Sequence, residues 1–266
     1  MKDRFGKISL WKFLFSIMII LLHVGNVLDY NKFKFNFKSG SIAVDFFFIV
    51  SGFFFCRKYI NYKIKNSVGE DSFNYFINRT SRFIKYIIIL LIVAIPFSIF
   101  CLKFNFTSLV NAFYKFLYIP HHGKCNSEIF GITWYIVAMV LVESMIFPFL
   151  IKHKKEFVYI ISPIIIILLG SYLLIRYGHF ATPWGMGNIL YRGIIRGIFE
   201  INIGMYLYLI SEKVNNIKFT KLSKILLLLF EICGYLSIFA LVNLNNAHRR
   251  FDALMLIIIS ICILIS

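Results

Sequence analysis

The sequence predicts an all-α, polytopic integral membrane bundle of about eight transmembrane helices with a cytoplasmic N-terminus. Three observations lead there. Apolar residues make up 59% of the 266, charged residues only 15%, and the mean hydropathy is +0.78; soluble domains are about half apolar and a quarter charged. The apolar residues gather in blocks of about twenty, the length that crosses a bilayer as a helix. Finally, Lys and Arg fall unevenly between those blocks. This composition excludes a disordered chain, a collagen, a coiled coil and a disulfide-rich secreted scaffold.

The blocks run, in order, over 8–28, 41–60, 83–102, 129–151, 157–176, 189–210, 222–242 and 251–266. Each holds too few polar side chains for a surface helix, and a helix satisfies its own backbone in lipid. The first contains Lys12 and His23 and no small-residue cleavage site follows it, so it reads as a retained helix and not a signal peptide. The shorter, mixed stretch 104–120 reads as an interfacial or re-entrant helix. With the N-terminus inside, seventeen of the 29 basic residues lie on the cytoplasmic side, seven of them between Arg57 and Lys85, making 57–82 a long cytoplasmic loop. The net charge of +17 is thereby explained by orientation and not by nucleic acid. The cysteines, Cys56, Cys101, Cys125, Cys233 and Cys262, are odd in number and lack a CxxC pair, so no disulfide framework is expected.

Seven ionisable residues fall inside the blocks: Lys12, His23, Asp45, Glu143, Arg196, Glu200 and Glu231. Each costs about 2.5–3.5 kcal/mol if left facing lipid, so they should line a polar interior and pair. Lys12 and His23 are eleven residues apart, on one helix face at about 16 Å. Asp45 falls about 6 Å below the outer boundary, close to the expected depth of His23. A His23–Asp45 pair, with the carboxylate orienting the imidazole, competes evenly with Asp45 as an interfacial residue. Arg79 and Arg82 are three apart and make a fork for phosphate if the stretch is helical; on spacing alone, ordinary flanking charge is the stronger reading. Arg196 and Glu200, at i,i+4, fit an ion pair within one helix at least as well as a substrate contact. His121, His122 and Cys125 form a metal-capable cluster, but a solvated loop suits them better, and no metal is expected. Neither a GxGxxG, a P-loop, an HExxH nor a GxSxG occurs.

Five elements in order resemble the acyltransferase-3 family of membrane proteins, which are similar to bacterial polysaccharide O-acetyltransferases. WKFLFSIMIILLH carries a basic residue, ten residues and a His; IAVDFFFIVSGFFF, with Ser51, looks like the family's GVDxFFxxSGF element; FINRTSRFIK holds an Arg-x-x-Arg. TWYIVAMVLVESMIFP, from Trp134 to Glu143, and RGIFEINIGMYLY, from Arg196 to Glu200, resemble two later helices. The stretch covered is about 8–210.

The resemblance implies transfer of an acetyl or other short acyl group from acyl-CoA to a hydroxyl of a cell-envelope or capsular saccharide, in the inner or plasma membrane. His23 would be catalytic, as general base or through an acyl-histidine, with Asp45 beside it. Arg79 and Arg82, with Lys12 in place of the commoner Arg, would hold the donor. Ser51, Trp134, Glu143, Arg196 and Glu200 would support the site. Acetyl-CoA is a co-substrate, so no bound cofactor is expected. The partners are acyl-CoA, the saccharide acceptor and the bilayer, without nucleic acid; the oligomeric state is open. Two competitors stand beside this: a transporter or flippase of envelope precursors, which intramembrane charges fit equally, and an inactive family member. The family's usual ten helices exceed the eight blocks here, so 1–266 is expected to be one domain whose C-terminal helices are in question.

Overall fold

The structure is a computed structural model and describes residues 2–27, 39–101, 134–180, 190–215, 217, 219–244 and 250–266. Those residues form α1 (Lys2–Val27), α2 (Ile42–Tyr59), α3 (Val68–Cys101), α4 (Trp134–Glu156), a π-helical turn (Phe157–Ile161), α5 (Ser162–Tyr177), α6 (Arg192–Val214), α7 (Lys221–Val242) and α8 (Asp252–Ile265). No strand occurs among the described residues. The expected segment 104–120 and the His121–Cys125 cluster lie outside them.

Side-chain caps start α3 and α7. Ser67 Oγ accepts from the Glu70 N–H at 3.1 Å, and the acidic pair Glu70 and Asp71 follows in the first turn of α3, where it suits the helix dipole. The α3 helix thus starts fifteen residues before its apolar part. This corrects the expected loop: most of 57–82 is helix, and only 60–67 connects α2 to α3. The expected block 83–102 covers only the apolar half of α3. Thr220 caps α7 through the Ser223 N–H at 3.2 Å, and Gly178, at φ 74°, closes α5 in the left-handed conformation. At Lys154 the backbone leaves the helical region (φ 46°, ψ −123°), and there α4 turns back into α5.

Contacts fix the direction of each helix. Trp11 and Phe15 of α1 meet Tyr235 and Phe239 of α7 in ascending order, so these run parallel. Lys12 lies over Phe54, and Phe15 stacks on Phe46, so α1 and α2 are antiparallel. By the same reading α2 and α6 are parallel (Asp45 with Arg196, Gly52 with Ile201), as are α4 and α6 (Trp134 with Gly193, Val142 with Gly197). Three further pairs are antiparallel: α3 with α4, α5 with α6, and α7 with α8. Direction therefore alternates strictly in chain order.

The α2–α6 pair forms the centre. A Cβ on Gly52 would stand 2.1 Å from the Ile201 carbonyl oxygen, and one on Gly204 would stand 2.0 Å from that of Ile49. Only glycine permits this approach, the small-residue packing used between helices in lipid. Outward faces stay apolar: Leu10, Phe13 and Ile20 on α1, Ile167 and Ile175 on α5, and Leu226 on α7 are all exposed. Among the described residues, four runs are long and apolar enough to cross a bilayer, namely Gly6–Val24, Trp134–Tyr177, Arg192–Val214 and Lys221–Val242. The chain is a membrane protein; the expected eight crossings exceed what length and composition establish.

Candidate active site

Among the first half of α1, the end of α2, the start of α3 and α4 lies an open cavity of about 810 Å³. Its charged lining is Lys12, Lys58, Lys65, Arg79 and Arg82 against Asp71 and Glu143, an excess of positive charge. One wall is aromatic: Phe54, Tyr59, Tyr62 and Phe147 line it, and Tyr75 stacks on Phe147 at 4.3 Å between centroids. Glu143, on α4, is wholly buried. It accepts from Ser51 Oγ at 2.5 Å, from Tyr75 Oη at 2.7 Å and from Arg79 Nη2 at 2.8 and 3.0 Å. Burial, with the Glu143 carboxylate beside it, pushes the Tyr75 hydroxyl well above the usual phenol range, so it remains a donor. Arg79 also lies 5.2 Å over the Phe83 ring.

Adjacent residues on a helix point about 100° apart. Ser51 reaches Glu143 on α4 while Gly52 meets the backbone of α6. One residue bonds the carboxylate and its neighbour permits the crossing.

A second polar cluster lies toward the opposite end, at the starts of α2 and α6. Arg196 Nε donates to Asp45 Oδ1 and to Glu200 Oε1, both at 2.8 Å, and Nη2 donates to Asp45 Oδ1 and to the Ser41 carbonyl at 3.3 Å. All three charged side chains are buried. Neither Arg196 Nη1 nor Glu200 Oε2 has a hydrogen-bond partner among the described residues. A further buried carboxylate, Glu231 of α7, accepts from Trp11 Nε1 at 3.0 Å and from Ser266 Oγ, with Lys7 Nζ at 3.5 Å. It fixes the face of α1 that turns Lys12 toward the cavity.

A family model described as an acyltransferase domain matches residues 5–266. The chain belongs to the acyltransferase-3 family. It is accordingly a membrane acyltransferase. No curated protein and no solved structure matches it.

Of the residues singled out by sequence, the acyltransferase gathers Lys12, Ser51, Arg79, Arg82 and Glu143 around this cavity. Asp45, Arg196 and Glu200 form the second cluster. Asp45, read either as a partner of His23 or as an interfacial residue, has its carboxylate on Arg196. The register explains this: Phe15 stacks on Phe46 at 4.2 Å, and His23 lies eight residues, about 12 Å, further along α1. His23 itself is half-buried. Trp134 packs over Gly193, whose added Cβ would stand 2.8 Å from the indole, so it is a contact between α4 and α6. Sequence reasoning missed Tyr75, Lys58 and Lys65. Tyr75 is one helical turn before Arg79, a signal that becomes visible once α3 is extended; the two lysines were counted only as orienting charge. Among the described residues no group of His, Cys, Asp and Glu would hold a metal.

Proposed function

We propose that the acyltransferase moves an acetyl or other short acyl group from acyl-CoA to a hydroxyl of a cell-envelope or capsular polysaccharide or its precursor. The observation that carries this reading is the convergence of Lys12, Arg79 and Arg82, with Lys58 and Lys65, on one cavity. A polyanionic donor suits that lining, because guanidinium and ammonium groups make charge-assisted bonds to phosphate. The alternation of helix direction supports eight crossings with the N-terminus inside, as does the basic bias. In that orientation the cavity opens to the cytoplasm of a multi-pass inner or plasma membrane protein, and His23 stands about 16 Å further out on the helix that carries Lys12.

In this mechanism the acyl arm extends from the cavity along α1. His23 takes the acceptor hydroxyl proton as the oxygen attacks the thioester carbonyl. The tetrahedral intermediate collapses, the C–S bond breaks, and the imidazolium returns the proton to the departing thiolate. Asp45 contributes from the same half of the bundle as the anchor of Arg196.

The test uses purified full-length protein in nanodiscs, with acceptor-dependent release of free CoA thiol from acetyl-CoA as the readout. Envelope O-acetylation in cells with and without the gene identifies the acceptor class. His23→Ala should abolish transfer while helicity and thermal stability stay at wild-type values. Retained turnover in that variant removes His23 from the mechanism.

A further inference from the structure

The two arginines of the Arg-x-x-Arg pair are not equivalent in their surroundings. The Arg79 side chain is 25% exposed, and its Nη2 faces both oxygens of a buried glutamate. Ser51 Oγ stands 3.4 Å away, and Phe83 stacks beneath the guanidinium. Arg82 is exposed on the next turn of α3 and lines the same cavity. Of the cavity's two carboxylates, Asp71 accepts from the Lys65 N–H at 2.8 Å and Glu143 is bonded to Arg79.

We propose that Glu143 is a positioning residue, which with Tyr75 and Ser51 clamps Arg79 as a charge-compensated wall of the cavity, so that the attraction for the donor's phosphates comes from Arg82, Lys12, Lys58 and Lys65. The inference rests on the acyl-CoA reading above. Its physical basis is that a guanidinium facing a carboxylate presents little net field to a third ion, whereas an exposed guanidinium on the same cavity presents all of its field. The clamp gives Arg79 one place. It sets where the donor lies, and Arg82 and the lysines set how strongly it is drawn in.

This predicts a split between KM and kcat. Arg82→Ala should raise the KM for acetyl-CoA by about tenfold, the loss of one charge-assisted contact, and flatten its dependence on salt concentration. Glu143→Gln keeps the shape of the clamp but releases the Arg79 charge into the cavity. That variant should bind acetyl-CoA as tightly as wild type or more tightly, with a steeper salt dependence, while kcat falls. Tyr75→Phe, which loosens the clamp but keeps the ion pair, should lower kcat to a smaller extent at unchanged KM. The experiment measures kcat, KM and the salt slope for wild type, Arg79→Ala, Arg82→Ala, Glu143→Gln and Tyr75→Phe in nanodiscs. Equal salt slopes for Arg79→Ala and Arg82→Ala, or a Glu143→Gln variant whose KM rises, overturn the clamp alone. Wild-type protein with no saturable dependence on acetyl-CoA removes the donor reading, and the clamp with it.

Discussion

The acyltransferase holds two buried arginine–carboxylate clusters that differ in what surrounds them. Around Arg79 there is one buried carboxylate, two hydroxyl donors and a cavity with four further cations. Around Arg196 there are two carboxylates, and none of the three side chains is exposed beyond 2%. The first cluster is a wall of a space that a ligand can enter. The second joins α2 to α6 at the end of the bundle opposite that space. An intramembrane charge is costly in either place, so burial alone does not mark a binding site. What separates them is the sign of the uncompensated charge and whether water reaches it.

The largest effect expected from breaking this contrast is at Arg196. Arg196→Ala leaves Asp45 and Glu200 buried and facing each other, and removing one partner of a buried ion pair costs about 3–5 kcal/mol. The expected outcome is failure to accumulate folded protein, measured by size-exclusion recovery and thermal unfolding. Restoring yield with Asp45→Asn and Glu200→Gln on the Arg196→Ala background would show that the lesion is the stranded charge. Gly204→Ala comes next. Its Cβ would meet the Ile49 carbonyl oxygen and the Phe53 amide on α2, an overpacking of about 1–3 kcal/mol. Because α2 carries both Asp45 and Ser51, the variant should disturb both clusters, lowering thermal stability and kcat together. An unchanged melting temperature would mean that α2 and α6 can separate without consequence. Tyr75→Phe removes one of the donors to Glu143 and should cost about 1–3 kcal/mol, less than Arg196→Ala, because Arg79 is in reach of water. A loss as large as at Arg196 would erase the distinction between open and closed clusters.

Most helices were legible because lipid imposes one requirement on every position of a crossing segment, and a run of apolar residues records it. The beginning of α3 was not, since residues 68–82 carry charges that face water and cavity, and their helix is fixed by Ser67 and by contacts with α4 that no local pattern encodes. The same holds for the sites. Lys12, Arg79 and Arg82 were found as charges beside or within membrane segments, and their convergence required the α2–α3 connection to be short. The Arg196 partner of Asp45 is not legible from depth counted from loop ends, because the aromatic contact of Phe15 with Phe46 sets the offset between α1 and α2. Glu143 is visible in the sequence as an intramembrane acid; its role as the acceptor for donors from both α2 and α3 depends on tertiary geometry alone.

The smallest expected effect concerns neither cluster and so serves to calibrate the others. Lys154, at φ 46° and ψ −123°, sits at the reversal between α4 and α5, and a left-handed non-glycine residue costs about 1–3 kcal/mol. Glycine there removes the Cβ conflict but adds conformational freedom to the unfolded chain, an opposing term of about 0.5–1 kcal/mol. Lys154→Gly should therefore leave stability unchanged or raise it by about 1 kcal/mol, read as a small rise in melting temperature. Lys154 belongs to neither polar cluster, and its substitution by glycine leaves Glu143, Arg79 and Arg196 with their partners. KM and salt slope should stay at wild-type values. A shift in either would mean that the α4–α5 reversal moves Glu143, and the Arg79 clamp would then depend on how α4 is anchored as well as on its own hydrogen bonds.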